Sequence, residues 1–149
     1  MTQNDYVLNL KETLLKLEET LRWLKRSFNI CKKIGIKEKY TEKEFDSFET
    51  LTSRFARTID ILVNKLFRCI DAVEFESEGT MIDVINRAHK RNLFESIDQI
   101  RLLKELRNEI AHEYVQDELI SLFTKVFDSI PDLLIIIENT HKYIQKYLK

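Results

Sequence analysis

The chain has 149 residues, of which 44% are hydrophobic and 33% charged, and its formal net charge is -1. This length predicts one domain over residues 1–149, large enough to bury a core without a disulfide or a metal. The balanced charge excludes a bulk positive field for holding nucleic acid, so such binding needs a local patch. The sequence has only two glycines and one proline, which argues against a turn-rich β fold and favours long helices.

Apolar residues recur every three or four positions along two long segments, which predicts two amphipathic helices. The first is expected over about residues 6–33, with Gly35 as its C-terminal stop. The second opens with a capping box at residues 41–44 and ends near Val73. Its apolar stripe consists of Phe48, Leu51, Phe55, Ile59, Leu62, Leu66 and Ile70.

Three further helices are expected after an acidic connector at residues 74–79, over about residues 80–90, 96–110 and 117–147. The first two of these open with capping boxes. Pro131 lies inside the last one, and a kink or break is expected there because proline removes one helical hydrogen bond. The sequence therefore predicts an all-α, single up-and-down bundle of about five helices.

The segment with chemical potential closes the fourth predicted helix, at residues 107–112 with the sequence RNEIAH. A helix advances about 100° per residue, and its apolar residues are expected to share the core face: Leu102, Leu103, Leu106 and Ile110. The opposite face carries polar residues at helical spacing: Arg101, Lys104, Asn108 and His112. Arg107 and Tyr114 lie on a line between the two faces. His112 is therefore predicted to point away from the core.

Histidine and arginine in this arrangement suit phosphate chemistry. A histidine exchanges a proton near neutral pH, and an arginine holds phosphate with a forked, permanently charged donor. RNA brings its own nucleophile, the 2′-hydroxyl, so its cleavage needs a base, an acid and a cation but no metal or cofactor. Because one chain offers one well-placed His112, we expect a composite site shared by two subunits of a homodimer. Arg101 and Lys104 are candidate RNA contacts.

The pattern Arg107-Asn108-x-x-Ala111-His112-x-Tyr114 resembles the RNxxxHxY form of the arginine–histidine motif of HEPN domains. Within that family it is most similar to HepT-type toxins, which are encoded beside a minimal nucleotidyltransferase (MNT) antitoxin. The chain length, the late position of the motif and residues 79–106 fit the same group. The resemblance extends over essentially the whole chain and implies a HEPN-like bundle.

The resemblance also implies residue roles. Arg107 and His112 correspond to the ribonuclease pair, Asn108 supports the site, and Tyr114 accepts AMP from the cognate nucleotidyltransferase. A phosphate ester on Tyr114 adds bulk and negative charge at the cleft, which repels RNA and pairs with Arg107. The implied protein is the toxin of a toxin–antitoxin module, a metal-independent endoribonuclease that is neutralised by AMPylation.

Two other interpretations stay open. The same polar face would also suit a non-catalytic helical subunit that binds a nucleotidyltransferase or its nucleotide substrate. A purely structural bundle, by contrast, would tolerate replacement of Arg107, Asn108 and His112 without consequence. An RNA cleavage assay in the presence of EDTA separates the enzyme from both alternatives.

The cysteines and the remaining histidines carry no site prediction. Cys31 and Cys69 are far apart in sequence and are expected to stay unbridged. His89 and His141 have no partner at metal-ligand spacing, so no metal site is predicted.

Two groups of basic residues are assigned to the surface. One is interpreted as solvated charge rather than an extension of an RNA track: Arg87, Lys90 and Arg91. The other is expected to pair with Asp60 and Glu49 at helical spacing: Arg54 and Arg57.

The apolar run at residues 133–137 covers more than half of a helix circumference, which exceeds what one core-facing side requires. The excess favours a second contact, with another subunit. The run is too short to span a bilayer, so no membrane partner is expected. The first residues show no signal-peptide pattern, and a cytoplasmic location is expected.

Overall fold

The computed structural model describes residues 2–112 and 116–149, and among these residues there is no β-strand. The helices are, in chain order, α1 (Gln3–Ile34), α2 (Glu42–Ile59), α3 (Phe67–Val73), α4 (Met81–Lys90), α5 (Ile97–His112) and α6 (Gln116–Ile144). A π-helical segment, Asp60–Leu66, joins α2 to α3, and a 3-10 turn, Gln145–Tyr147, follows α6. Since α2, the π-helical segment and α3 form one rod, the described residues make five helical rods. The predicted all-α bundle is confirmed.

Local hydrogen bonds close α1 at both ends. The hydroxyl of Thr2 accepts the backbone N–H of Asp5 at 3.3 Å, and the Asp5 carboxylate accepts the N–H of Thr2 at 2.9 Å. This box starts the helix a few residues before the predicted position. At the other end Gly35 has a φ of 81°, and its N–H donates to the Cys31 carbonyl. A side chain is strained at this φ, so the glycine ends the helix as predicted.

The rod formed by α2, the π-helical segment and α3 packs against α1, α5 and α6. It opens with the predicted capping box, in which the N–H of Glu44 donates to the Thr41 hydroxyl at 3.2 Å. The predicted apolar stripe is buried along its whole length, from Phe48 to Ile70. The π-helical segment is not foreseen from the sequence, because its wider turns continue the stripe without interrupting it. Asp60 is the first residue of this segment.

A buried ion-pair network, here called the Asp71 clasp, consists of Asp71, Glu74, Arg87 and Arg91. Asp71 is 1% exposed and accepts from Arg91 at 2.6 Å and from Arg87 at 2.9 Å. Arg91 also reaches Glu74 at 3.0 Å. The expectation that Arg87 and Arg91 are solvated is therefore wrong, because the buried carboxylate of Asp71 requires cationic partners. Lys90, between them, is exposed.

The C-terminal end of the chain is attached to this clasp through Glu74. Its carboxylate accepts hydrogen bonds from the hydroxyls of Tyr143 at 2.5 Å and Tyr147 at 2.6 Å. Burial raises the pKa of Glu74, but the two tyrosines and Arg91 together outweigh burial and leave that pKa below its usual value. Burial, and next the Glu74 carboxylate, raise the pKa of Tyr147. The 3-10 turn is thus fixed against the central rod.

The last helix, α6, runs through Pro131 without interruption, so of the predicted kink or break the break does not occur. Ile130 and Leu133 on either side of the proline are fully buried, and this packing holds both halves in the core. Within residues 133–137, Ile135 is 56% exposed and Leu134 is half-buried. The described helices include none with the length and apolar character needed to cross a membrane.

Candidate functional site at the end of α5

The face that α5 turns to the core differs from the one predicted. Its buried residues are Ile100, Leu103 and Leu106, whereas Leu102 is 56% exposed. The expectation that Leu102 belongs to the core face is therefore wrong. Ile100 lies two helical turns before Arg107 on the same line of the helix. Burying Ile100 consequently turns Arg107 toward the central rod.

Arg107 is held there by Asp60 in a two-point ion pair. The Nε of Arg107 donates to Oδ1 of Asp60 at 2.7 Å, and Nη2 donates to Oδ2 at 3.0 Å. The hydrogen bond that Arg107 donates to Asp60 raises the pKa of Arg107, against a smaller opposing effect of burial. Within the described part of the chain, no acceptor forms a hydrogen bond with Nη1 of Arg107. The carboxylate therefore orients the guanidinium plane.

Asp60 is the site residue that sequence reasoning misses. Helical spacing assigns it to Arg54 or Arg57, but among the described residues no ion pair joins either arginine to Asp60 or Glu49, so that expectation is wrong. Asp60 and Arg107 are 47 positions apart, and no local pattern connects them. The π-helical segment that begins at Asp60 is the structural feature that marks the position, since such segments are frequent at functional sites.

The other predicted residues of the motif lie on the solvent side. Asn108 and His112 are exposed, and His112 is the last residue of α5. Arg101 is exposed on the same side, while Lys104 is half-buried. Among the residues that the structure describes, neither Asn108 nor His112 has a polar partner. The predicted AMP acceptor, Tyr114, lies outside the described residues.

An open groove of about 360 Å³ lies beside Arg107, between α2, α5 and the start of α6. Its lining includes Ser53 of α2 and Ile110 and Ala111 of α5. His112 is not among the described residues that line it. Five helical steps separate Arg107 from His112, which places the two side chains about 140° apart around the helix axis. One subunit therefore does not bring the guanidinium and the imidazole into one cleft.

The remaining candidates for metal binding have other contacts. Within the described ranges, no group of three or more His, Cys, Asp and Glu residues has the placement of a metal site. The ring of His89 meets the carbonyl of Glu95 at 3.1 Å, and that of His141 lies 3.4 Å from Glu18. Cys31 and Cys69 are both free thiols, as expected.

The chain matches no family model, and it has no match among the curated proteins or the solved structures. The motif and the geometry around it are consequently the features that indicate a function. That geometry supplies an oriented cation beside a groove and an exposed imidazole at the end of the same helix. Together these groups are suited to holding a phosphate and transferring a proton.

Proposed function

We propose that this protein is a metal-independent endoribonuclease of the HEPN type, the toxin of a cytoplasmic toxin–antitoxin module. Its site is composite, with Arg107 and His112 supplied by two subunits of a homodimer. A cognate MNT-type nucleotidyltransferase neutralises it by transferring AMP to Tyr114. The observation that carries the proposal is the fixed guanidinium of Arg107 in a motif whose histidine is exposed.

The chemistry uses groups that this chain provides. A neutral His112 accepts the proton of the RNA 2′-hydroxyl, whose oxygen then attacks the adjacent phosphorus. The bond to the 5′-oxygen breaks, and a protonated His112 of the second subunit donates a proton to that leaving oxygen. The products are a 2′,3′-cyclic phosphate end and a 5′-hydroxyl end. Arg107 neutralises the charge that builds up on the phosphate oxygens.

The separation of the two side chains within one chain supports the proposal of a dimer. Arg107 faces the central rod, whereas His112 faces solvent about 140° further around α5. A two-fold axis near the end of α5 would place the His112 of each subunit close to the Arg107 of the other. Asn108, exposed one turn before His112, is then positioned to orient the imidazole.

Cleavage of a labelled RNA in EDTA tests the activity. We expect the wild type to cut and both Arg107→Ala and His112→Ala to lose at least about a hundredfold in rate, in line with removal of an acid–base or charge-stabilising group. His141→Ala is the matched control, because this histidine is also exposed but lies far along α6. Equal rates for His112→Ala and wild type contradict the proposal and favour the non-catalytic subunit.

A mixed dimer tests the composite site. One subunit carries His112→Ala and the other is wild type, with different affinity tags for purification. We expect the mixed dimer to fall to the level of the doubly substituted dimer, because one cleft needs both imidazoles. Unchanged activity per dimer refutes the composite arrangement.

The neutralisation step is tested by Tyr114→Phe. This variant keeps the ring but has no hydroxyl to accept AMP, so we expect it to cut RNA and to resist the partner nucleotidyltransferase. Mass spectrometry of the purified pair with ATP measures the added AMP. Addition of AMP to Tyr114→Phe at the wild-type level contradicts the assignment of the acceptor.

A further inference from the structure

Trp23 is an exposed aromatic residue among arginines. The residue lies on α1, is 41% exposed, and is the only tryptophan in the chain. The guanidinium carbon of Arg22 lies 4.9 Å from its ring centre, and that of Arg54 on α2 lies 5.2 Å from it. Its indole N–H donates to Glu19 at 3.1 Å. The ring is thus held in place at the surface beside two guanidinium groups, and that of Arg22 also pairs with Glu19 at 3.2 Å.

Two more arginines adjoin this pair, and we call the group of Trp23, Arg22, Arg26, Arg54 and Arg57 the Trp23 patch. Burial lowers the pKa of Arg54, and the positive charges of Arg26 and Arg57 lower it further. Arg22 and Arg26 are four positions apart on α1, and Arg54 and Arg57 are three apart on α2, so each pair shares one face of its helix. The net charge of the chain is only -1, so this is a local concentration of positive charge that the overall composition conceals.

Arg54 makes the Trp23 patch rigid. Its Nη1 donates to the Ser27 hydroxyl at 2.6 Å and to the backbone carbonyl of Trp23 at 3.1 Å. Ser27 is buried, so this contact anchors the guanidinium between α1 and α2. The patch is therefore formed before any ligand arrives, which reduces the entropy lost on binding.

A continuous surface of α2 connects the Trp23 patch to the candidate site. A depression of about 600 Å³ is lined by Arg54 and Arg57 together with Glu49 and Ser53. The groove beside Arg107 shares Glu49 and Ser53 with this depression. A strand that crosses α2 at Ser53 therefore leads from the patch to Arg107, past the carboxylates of Asp46 and Glu49 that also line the depression.

We propose that the Trp23 patch binds single-stranded RNA, with a base stacked on Trp23 and the phosphates paired with Arg22, Arg54 and Arg57. The strand then continues across α2 to Arg107. This inference rests on the proposed function, in which RNA is the substrate. A positively charged track with an exposed aromatic ring is the combination by which proteins hold single strands without reading their sequence. Arginine suits both kinds of contact, because it pairs with phosphate and also stacks on aromatic rings.

An acidic protein segment is the competing ligand for such a surface. Carboxylates would pair with the arginines, but they offer no flat ring to lie on Trp23. The exposed indole therefore favours a nucleic acid. Polyglutamate serves as the competitor that separates the two ligands in the experiment.

Binding is measured on the full chain carrying His112→Ala, so that the RNA stays intact. The probe is an oligouridine of about ten nucleotides, matching the length that a single-strand site covers. Because Trp23 is the only tryptophan, quenching of tryptophan fluorescence reports stacking at this patch alone. We expect quenching on titration with the oligouridine and none with polyglutamate at the same charge concentration.

Variants then separate stacking from charge. Trp23→Ala, followed by anisotropy of a labelled oligouridine, should weaken binding about tenfold. Arg22→Gln with Arg57→Gln should reduce the slope of log affinity against log salt by about 1.4, the value for two lost phosphate contacts on a single strand. Arg68→Gln is the charge-matched control, since Arg68 is exposed on α3 and outside the patch.

The outcomes distinguish this inference from the proposed function. RNA that is bound and cut equally well by wild type and by the patch variants overturns the patch and leaves the nuclease intact. RNA that is bound with quenching but never cut supports the patch and overturns the nuclease. Quenching by polyglutamate but not by oligouridine, or no RNA binding at all, overturns the patch.

Discussion

The ion pair between Asp60 and Arg107 affects orientation more than stability. Their side chains are 35% and 33% exposed, so solvent screens the attraction, and the pair stabilises the fold by no more than about 1 kcal/mol. The two-point geometry nevertheless fixes the plane of the guanidinium, which is the property that phosphate recognition depends on. Asp60 therefore acts as a positioning residue for Arg107.

Asp60→Asn is expected to slow RNA cleavage at least about tenfold, because a small misplacement of a catalytic group is costly. The free energy of unfolding should fall by less than about 1 kcal/mol, as for other partly exposed pairs. Steady-state cleavage rates and urea unfolding measure the two effects separately.

Asp128→Asn is the matched control for this change, since Asp128 is an exposed aspartate on α6 away from Arg107. Asp60→Glu retains a carboxylate and should recover part of the rate. If Asp60→Asn cleaves RNA at the wild-type rate, Asp60 does not position Arg107 for catalysis.

At the level of the helices, the sequence is informative wherever the determining contacts are local. The capping boxes at Thr41 and Thr80 are predicted correctly, because each is formed by residues three positions apart. The apolar stripe of the central rod is also predicted, since the 3.6-residue period determines it. Both features are independent of how the helices pack against one another.

Contacts between helices are where prediction from the sequence fails. The apolar pattern of α5 includes Leu102, yet the rotation of the helix in the bundle leaves it exposed. Arg91 is predicted to be solvated, although it is bound to Asp71, 20 positions earlier. Both outcomes depend on neighbours that are distant in sequence, and a single sequence carries no record of them. The ion pair between Asp60 and Arg107 is not predicted for the same reason, since the two residues are 47 positions apart.

The Asp71 clasp gives an element-scale prediction. Asp71→Asn should destabilise the protein by about 3 kcal/mol, because it removes the buried carboxylate that pairs with Arg87 and leaves the buried charge of Arg91 with Glu74 and Glu76 alone. Urea unfolding at neutral pH measures the loss. Glu138→Gln is the control, since it breaks the exposed pair with Lys142 and should cost less than about 0.5 kcal/mol. Equal losses for the two variants contradict a stabilising role for the clasp.

Glu74 gives the clasp a dependence on pH. Its pKa is lowered in the folded protein, so its contribution to stability is present above the unfolded value near 4.5 and is lost as the pH falls through the folded value. Glu74→Gln should therefore lose about 2 kcal/mol at pH 7, the cost of a hydrogen-bonded charged group. At strongly acidic pH wild type and variant should unfold at the same urea concentration. If the difference in unfolding free energy between wild type and Glu74→Gln is as large in acid as at pH 7, the role of the Glu74 carboxylate is contradicted.

For the whole molecule, the proposed homodimer raises the question of which surface its two subunits would share. A composite site requires a two-fold axis close to His112 at the end of α5. An interface of standard size covers about 800 Å² on each partner, equivalent to a disc of about 16 Å radius. Ile135 is about 29 Å along α6 from the start of that helix, and it therefore lies outside such an interface. The apolar excess at residues 133–137 and the proposed composite site would thus belong to different surfaces.

Leu102 and Ile135 provide a matched pair of substitutions for locating the interface, since both side chains are 56% exposed. Leu102 is on the same helix as His112, about 15 Å from it along the axis. Leu102→Lys should shift the dimer toward monomer in sedimentation experiments and reduce RNA cleavage to the same extent. Ile135→Lys should change neither. The opposite result, a monomer from Ile135→Lys alone, would place the subunit contact between α1 and α6 and separate the two His112 side chains too widely for one cleft. The composite ribonuclease site would then be untenable, whatever activity a single subunit retained.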